Sequence, residues 1–146
     1  MARWTLRIHL AATLYLVGVI WFVQVVHYPL LTEVGEAGFA AYQKANIRLA
    51  TWAVAPAMIA EGLAAAALLR WRPAGIPAAW VWMGLLLLCV IWISTFSLQF
   101  PSHQILAKGF EASVHRSLIL TNWIRTVAWS ARGILSLAMI PRAQAS

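Results

Sequence analysis

The chain has 146 residues, 62% of them apolar and 10% charged, with nine Trp and a formal charge of +7; its mean hydropathy is +0.76. Soluble domains average about 25% charged residues, so this composition marks an integral membrane protein. Nucleic acid is excluded as a partner, because Lys and Arg stand singly at the ends of apolar segments and form no run that could track phosphates. A single cysteine, Cys89, rules out an intrachain disulfide.

Four segments reach the roughly 20 residues that a bilayer-spanning helix requires, over about 8–28, 50–70, 77–99 and 115–140. Short connections favour neighbours that run in opposite directions. The expected fold is therefore all-α and single-domain: an antiparallel bundle of four transmembrane helices, with a short amphipathic interfacial helix after the first span. The first apolar run follows Arg3 and Arg7 and lacks a small-residue cleavage site, which predicts a retained helix and not a signal peptide. On the N-terminal side of the bundle fall Arg3, Arg7, Arg70, Arg72 and Arg142; Lys44, Arg48, Lys108 and Arg116 fall on the other. The excess puts both termini in the cytoplasm.

In the first segment His9, Thr13, Leu16, Ile20, Gln24 and His27 share one face at about 100° per residue. Tyr28-Pro29 is expected to end it, since Pro restricts its predecessor and cannot continue the hydrogen-bond ladder. Residues 36–50 are too polar to span and predict the amphipathic surface helix. The second span holds Pro56 and, at mid-depth, Glu61; the third carries Trp92, Thr95 and Gln99 on one face, after which Phe100-Pro101-Ser102-His103 breaks it, with Ser102 as a cap. Ser113 is the expected cap of the fourth span, where His115, Asn122, Arg125 and Arg132 occupy one arc with Trp129 between them.

A charge at mid-membrane costs at least about 2.5–3.5 kcal/mol. Arg125 and Glu61 lie at similar depth when each is counted from the middle of its span, which predicts that they pair, while Arg132 is expected to snorkel toward the cytoplasm. Gln24, His27, Trp92, Thr95, Gln99, His103, His115 and Asn122 then belong to the outer half of the bundle, above a floor of Glu61 and Arg125. That pattern predicts a chamber open to the exterior, lined by polar groups and Trp. His27, His103 and His115 with a carboxylate suit zinc, copper or iron; haem or a quinone are alternatives, as are interfacial histidines with no ligand. No Gly-rich nucleotide loop or Ser/His/Asp arrangement is present.

The stretches Trp21-Phe22-Val23-Gln24-Val25-Val26-His27-Tyr28-Pro29, Gln99-Phe100-Pro101-Ser102-His103 and Asn122-Trp123-Ile124-Arg125-Thr126 resemble a family of small bacterial four-helix membrane proteins. More distantly, the chain is similar to anthrone-oxygenase-like membrane proteins. That resemblance implies a bacterial inner membrane and oxidation of an aromatic, membrane-soluble substrate by dioxygen. The clustered histidines and the polar stripe make an oxidoreductase or oxygenase-like protein the leading expectation. Its hydrophobic substrate would be gripped by Trp92, Gln99, Asn122 and Arg125 and would react beside His27, His103 and His115. A non-catalytic carrier of a lipid-like or anionic ligand, and an accessory subunit of a homo-oligomer or larger membrane complex, are the alternatives.

Overall fold

A computed structural model describes residues 1–144; the side chains beyond Ile140, that of Arg142 among them, lie outside the described part. Four long helices account for nearly all of it: α1 (Ala2–Val34), α2 (Glu36–Arg70), α3 (Ala78–Leu106) and α4 (Ala112–Gln144). The first three are long and apolar enough to cross a membrane. Gly35, at φ 77°, joins α1 to α2 in a single residue, a backbone setting that L side chains resist.

α1 and α3 each run through a proline near their C-terminal ends. Pro29 and Pro101 were expected to stop α1 and α3, but each is preceded by one wide π-turn, Val23–His27 and Thr95–Gln99, after which the helix continues to Val34 and to Leu106. A pyrrolidine ring collides with the carbonyl four residues back. Widening the turn before it relieves that collision, and such bulges recur where helices carry functional groups. Each π-turn holds one buried glutamine, Gln24 or Gln99.

Ser102 consequently caps nothing and donates back to the Leu98 carbonyl (2.7 Å), while Ser113 bonds the Glu111 carboxylate (2.9 Å). The amphipathic segment over 36–50 is not a separate helix either. It forms the first turns of α2, burying Phe39 and Gln43 and exposing Tyr42, Lys44 and Arg48.

The core stacks in alternating layers. Leu6, Leu68, Ile76, Val81 and Met139 pack at the N-terminal end; Leu16, Ile20, Met58, Ile91 and Ala128 at the middle; Tyr28, Leu31, Phe39, Leu106 and Leu118 at the far end. Polar side chains fill the levels between, and α4 supplies more of them than any other helix. Asn122, Thr126, Arg132 and Ser136 are buried, whereas Leu120, Val127 and Ile134 on its other side are more than 60% exposed. The helix is hydrophilic inward and apolar outward.

α1 and α4 pack closely at Gly133, where an added Cβ would lie 3.1 Å from Val17 Cγ2 and 3.8 Å from Leu14 Cδ2. Small residues permit such approaches between membrane helices. Gly133→Val is therefore expected to overpack the seam by about 1–3 kcal/mol, read as a lower thermal midpoint in detergent. Gly18→Val, in open space, should leave the midpoint near that of the parent.

Candidate functional site

Two polar networks occupy the core. The one nearer the N-terminus centres on Glu61, which is fully buried. Its Oε1 accepts from Arg132 Nε (2.9 Å) and Thr13 Oγ1 (2.8 Å), and its Oε2 from Trp129 Nε1 (3.1 Å). Arg132, 1% exposed, also donates to the Gly84 carbonyl and faces His9 Nε2 (3.2 Å), whose Nδ1 lies 3.4 Å from Ser136 Oγ. All four helices contribute. A small recess lined by His9, Trp80, Gly84, Arg132 and Ser136 opens beside it, with room for about one water molecule.

This overturns two expectations: Glu61 pairs with Arg132, not Arg125, and Arg132 does not snorkel. Counting from a layer that the helices share explains both. Leu68 and Met139 pack together near the N-terminal end, and Glu61 lies seven residues before the first as Arg132 does before the second, whereas Arg125 lies fourteen before it. At about 1.5 Å of rise per residue, only Arg132 is level with the carboxylate.

Arg125 belongs to the second network, nearer the α1–α2 turn. Its Nε and Nη2 donate to Asn122 Oδ1, Nη2 also to Tyr28 Oη (3.2 Å), and Nη1 to Thr95 Oγ1 (3.4 Å). Every one of these acceptors is neutral. Asn122 passes the chain on to Gln24 Oε1 (2.8 Å), which Thr126 also approaches (3.4 Å), and Gln24 Nε2 donates to the Ile119 carbonyl (3.2 Å). Gln99 is held by Ser94 (3.0 Å) and Thr121 (3.3 Å) at the same level.

On the other side of Arg125, Tyr28 Oη meets His103 Nε2 (3.0 Å), and His103 Nδ1 meets Gln43 Nε2 (2.7 Å). Asn46 donates to Gln43 Oε1 (3.2 Å), which turns the Gln43 amide nitrogen toward the imidazole. His103 Nδ1 then accepts and its Nε2–H donates to Tyr28, so the phenol oxygen sits between an imidazole and a guanidinium. His27, His103 and Asn46 are only partly buried, so the network reaches the surface there and is closed at Arg125.

Hydrogen bonds thus join Gln24, Thr95, His103, Asn122 and Arg125, while Gln99 bonds Ser94 and Thr121 beside them and Glu61 is one layer away. Trp92 packs in the apolar layer between the two networks. The three imidazoles do not converge as a metal site. His115 Nε2 lies 2.7 Å from the Tyr28 carbonyl, which can only accept, so that nitrogen carries its proton and offers a metal no lone pair. Among the described residues no three His, Cys, Asp or Glu side chains are grouped to hold a metal ion.

His115 is instead a strut between α4 and the end of α1. His115→Ala is expected to cost about 1–3 kcal/mol by leaving a buried carbonyl without its partner, read as a lower thermal midpoint with unchanged metal content.

Sequence reasoning missed Tyr28 and Gln43. Both stood in plain helical register: Tyr28 follows Gln24 by four residues, and Gln43 follows the buried Phe39 by four. Comparison with known proteins adds no relative, since no family model, curated protein or solved structure matches the chain. The class it belongs to is the one its own architecture defines, an all-helical membrane protein with two hydrogen-bonded networks enclosed by apolar flanks.

Proposed function

We propose that this chain is a multi-pass protein of the bacterial inner membrane, with four antiparallel spans and both termini cytoplasmic, and that its Arg125 network binds the anionic head of a hydrophobic molecule. The outward-facing apolar side of α4 supports the fourth span, because a helix that hides its polar groups inside a bundle can face lipid. The excess of Arg near the N-terminal end supports the orientation.

One observation carries the ligand reading. Of the two guanidiniums buried among the described residues, Arg132 has a carboxylate and Arg125 has only neutral acceptors. A cation in an apolar interior is costly unless neutralised. An anionic group arriving beside Arg125 would relieve that cost, and its apolar remainder would stay in the bilayer. The protein would then act as a carrier or binding protein. Lipid extracted from protein purified in mild detergent should contain an acidic amphiphile in near-stoichiometric amount, detected by mass spectrometry. Its absence, together with failure to bind added long-chain carboxylate, would refute the reading.

The Tyr28–His103 hydrogen bond favours a second reading, the oxidoreductase or oxygenase, in which His103 and the phenol exchange a proton with a hydrophobic substrate beside His27. An absorption spectrum and elemental analysis of the purified protein separate the two. Iron, copper, haem or quinone in fixed proportion would favour chemistry over carriage.

A further inference from the structure

The four helices are unequally joined. α1 packs closely on α2 and α4, and α3 on α4, but α2 and α3 meet only lightly. Two polar clasps bridge that seam: Gln43 to His103 near one end, and near the other the Glu61–Arg132 pair, whose guanidinium reaches the Gly84 carbonyl. Between the clasps lies the apolar middle layer, to which Val54, Ala57 and Met58 of α2 and Ile91 and Trp92 of α3 all belong.

Within it lies an unmatched donor. Trp92 Nε1 is buried and has no acceptor among the described residues. The indole edge that carries this N–H is turned to α2, since Cζ2, next but one to the nitrogen in the ring, lies 4.0 Å from a Cβ placed on Gly62. Buried N–H groups almost always have partners, and one without costs about 1–3 kcal/mol. Thr95, which accepts from Arg125, is one turn further along α3. The unmatched donor of Trp92 and the guanidinium of Arg125, which has no anion, therefore meet α3 about one turn apart.

We infer that the α2–α3 seam is the lateral gate through which a long-chain carboxylate passes from the bilayer to Arg125, with the Trp92 indole N–H receiving the carboxylate at the gate. This rests on the reading of Arg125 as an anion site and adds the ligand class and its route. The apolar lining suits an acyl chain, and Gly62 leaves the seam its width. A neutral carbonyl would satisfy Trp92 but would leave Arg125 without a counter-charge.

The test uses the full chain in non-ionic detergent, labelled with ¹⁵N-tryptophan, and sodium oleate as the probe. The Trp92 indole signal is assigned by its loss in Trp92→Phe, which keeps an aromatic ring and removes the donor. Oleate should shift that signal downfield. Affinity should fall about three- to tenfold in Trp92→Phe, as expected for one hydrogen bond, and association should slow in Gly62→Leu, which narrows the seam. If oleate binds in an Arg125-dependent way while the Trp92 signal stays put and both variants bind like the parent, the gate is wrong and the anion site stands. If Arg125→Gln binds oleate as well as the parent does, both fall. If decylubiquinone moves the Trp92 signal and oleate does not, the carboxylate class is wrong.

Discussion

Glu61→Ala is expected to be the most damaging single substitution in the chain, yielding protein that aggregates or loses at least about 10 °C of thermal midpoint in detergent. The carboxylate is fully buried and accepts from three side chains on two other helices, Thr13, Trp129 and Arg132. Removing it leaves a guanidinium at 1% exposure with no counter-charge, and strands two further donors. Breaking one side of a buried ion pair costs about 3–5 kcal/mol in soluble proteins, against a total stability of about 5–15 kcal/mol. Arg132→Met should be comparably harmful, because it leaves the carboxylate unpaired. The double variant Glu61→Leu/Arg132→Met removes both charges and should recover much of the loss, since apolar replacements of a buried pair are often tolerated. A double-mutant cycle on thermal midpoints gives the coupling directly. Strict additivity of the two singles would mean that the pair does not hold the helices together.

The same pair shows what the sequence could and could not reveal. That the rare polar residues of separate spans face one another was legible, because each recurs at helical spacing and lipid excludes them from the outside: Gln24, Thr95, Asn122 and Arg125 do meet. Which cation meets Glu61 was not legible from mid-span depth, because a span's limits are uncertain by several residues and one layer of this core is only about two turns thick. The length of α1 and α3 was hidden for another reason. A proline reads as a stop, and nothing in Val23–His27 or Thr95–Gln99 announces the wider turn that lets the helix go on. Tyr28 hides at that proline boundary, and Gln43 hides in a polar stretch that reads as a surface helix but forms the first turns of α2. The histidines were overread. Sharing one half of the bundle brings His103 to Tyr28 but sends His115 to a backbone carbonyl, and only coordinates separate those fates.

Arg125→Gln is expected to do the opposite of Glu61→Ala: to fold as the parent does and to lose the ligand. Its guanidinium is buried beside Asn122, Tyr28 and Thr95, none of which bears a charge that would be orphaned by the change. Tyr28 Oη keeps His103 as a partner, Asn122 Nδ2 keeps Gln24, and the amide of the replacement can still donate to Asn122 Oδ1. Taking a charge with no counter-charge out of an apolar interior also removes its desolvation cost, so the thermal midpoint should stay level or rise. Binding should respond in the other direction. Losing the cation from a charge-assisted contact in a dry site costs about 2–5 kcal/mol, which is at least about 30-fold in oleate affinity by titration. Arg125→Lys should retain part of it, having the charge without the fork that also holds Asn122 and Tyr28. If the network served only to lock the helices, the result would reverse, with Arg125→Gln losing thermal stability as steeply as Glu61→Ala. Measured side by side, the two substitutions therefore tell a site from a strut: a buried arginine that already has its carboxylate should govern folding, and one that lacks it should govern binding.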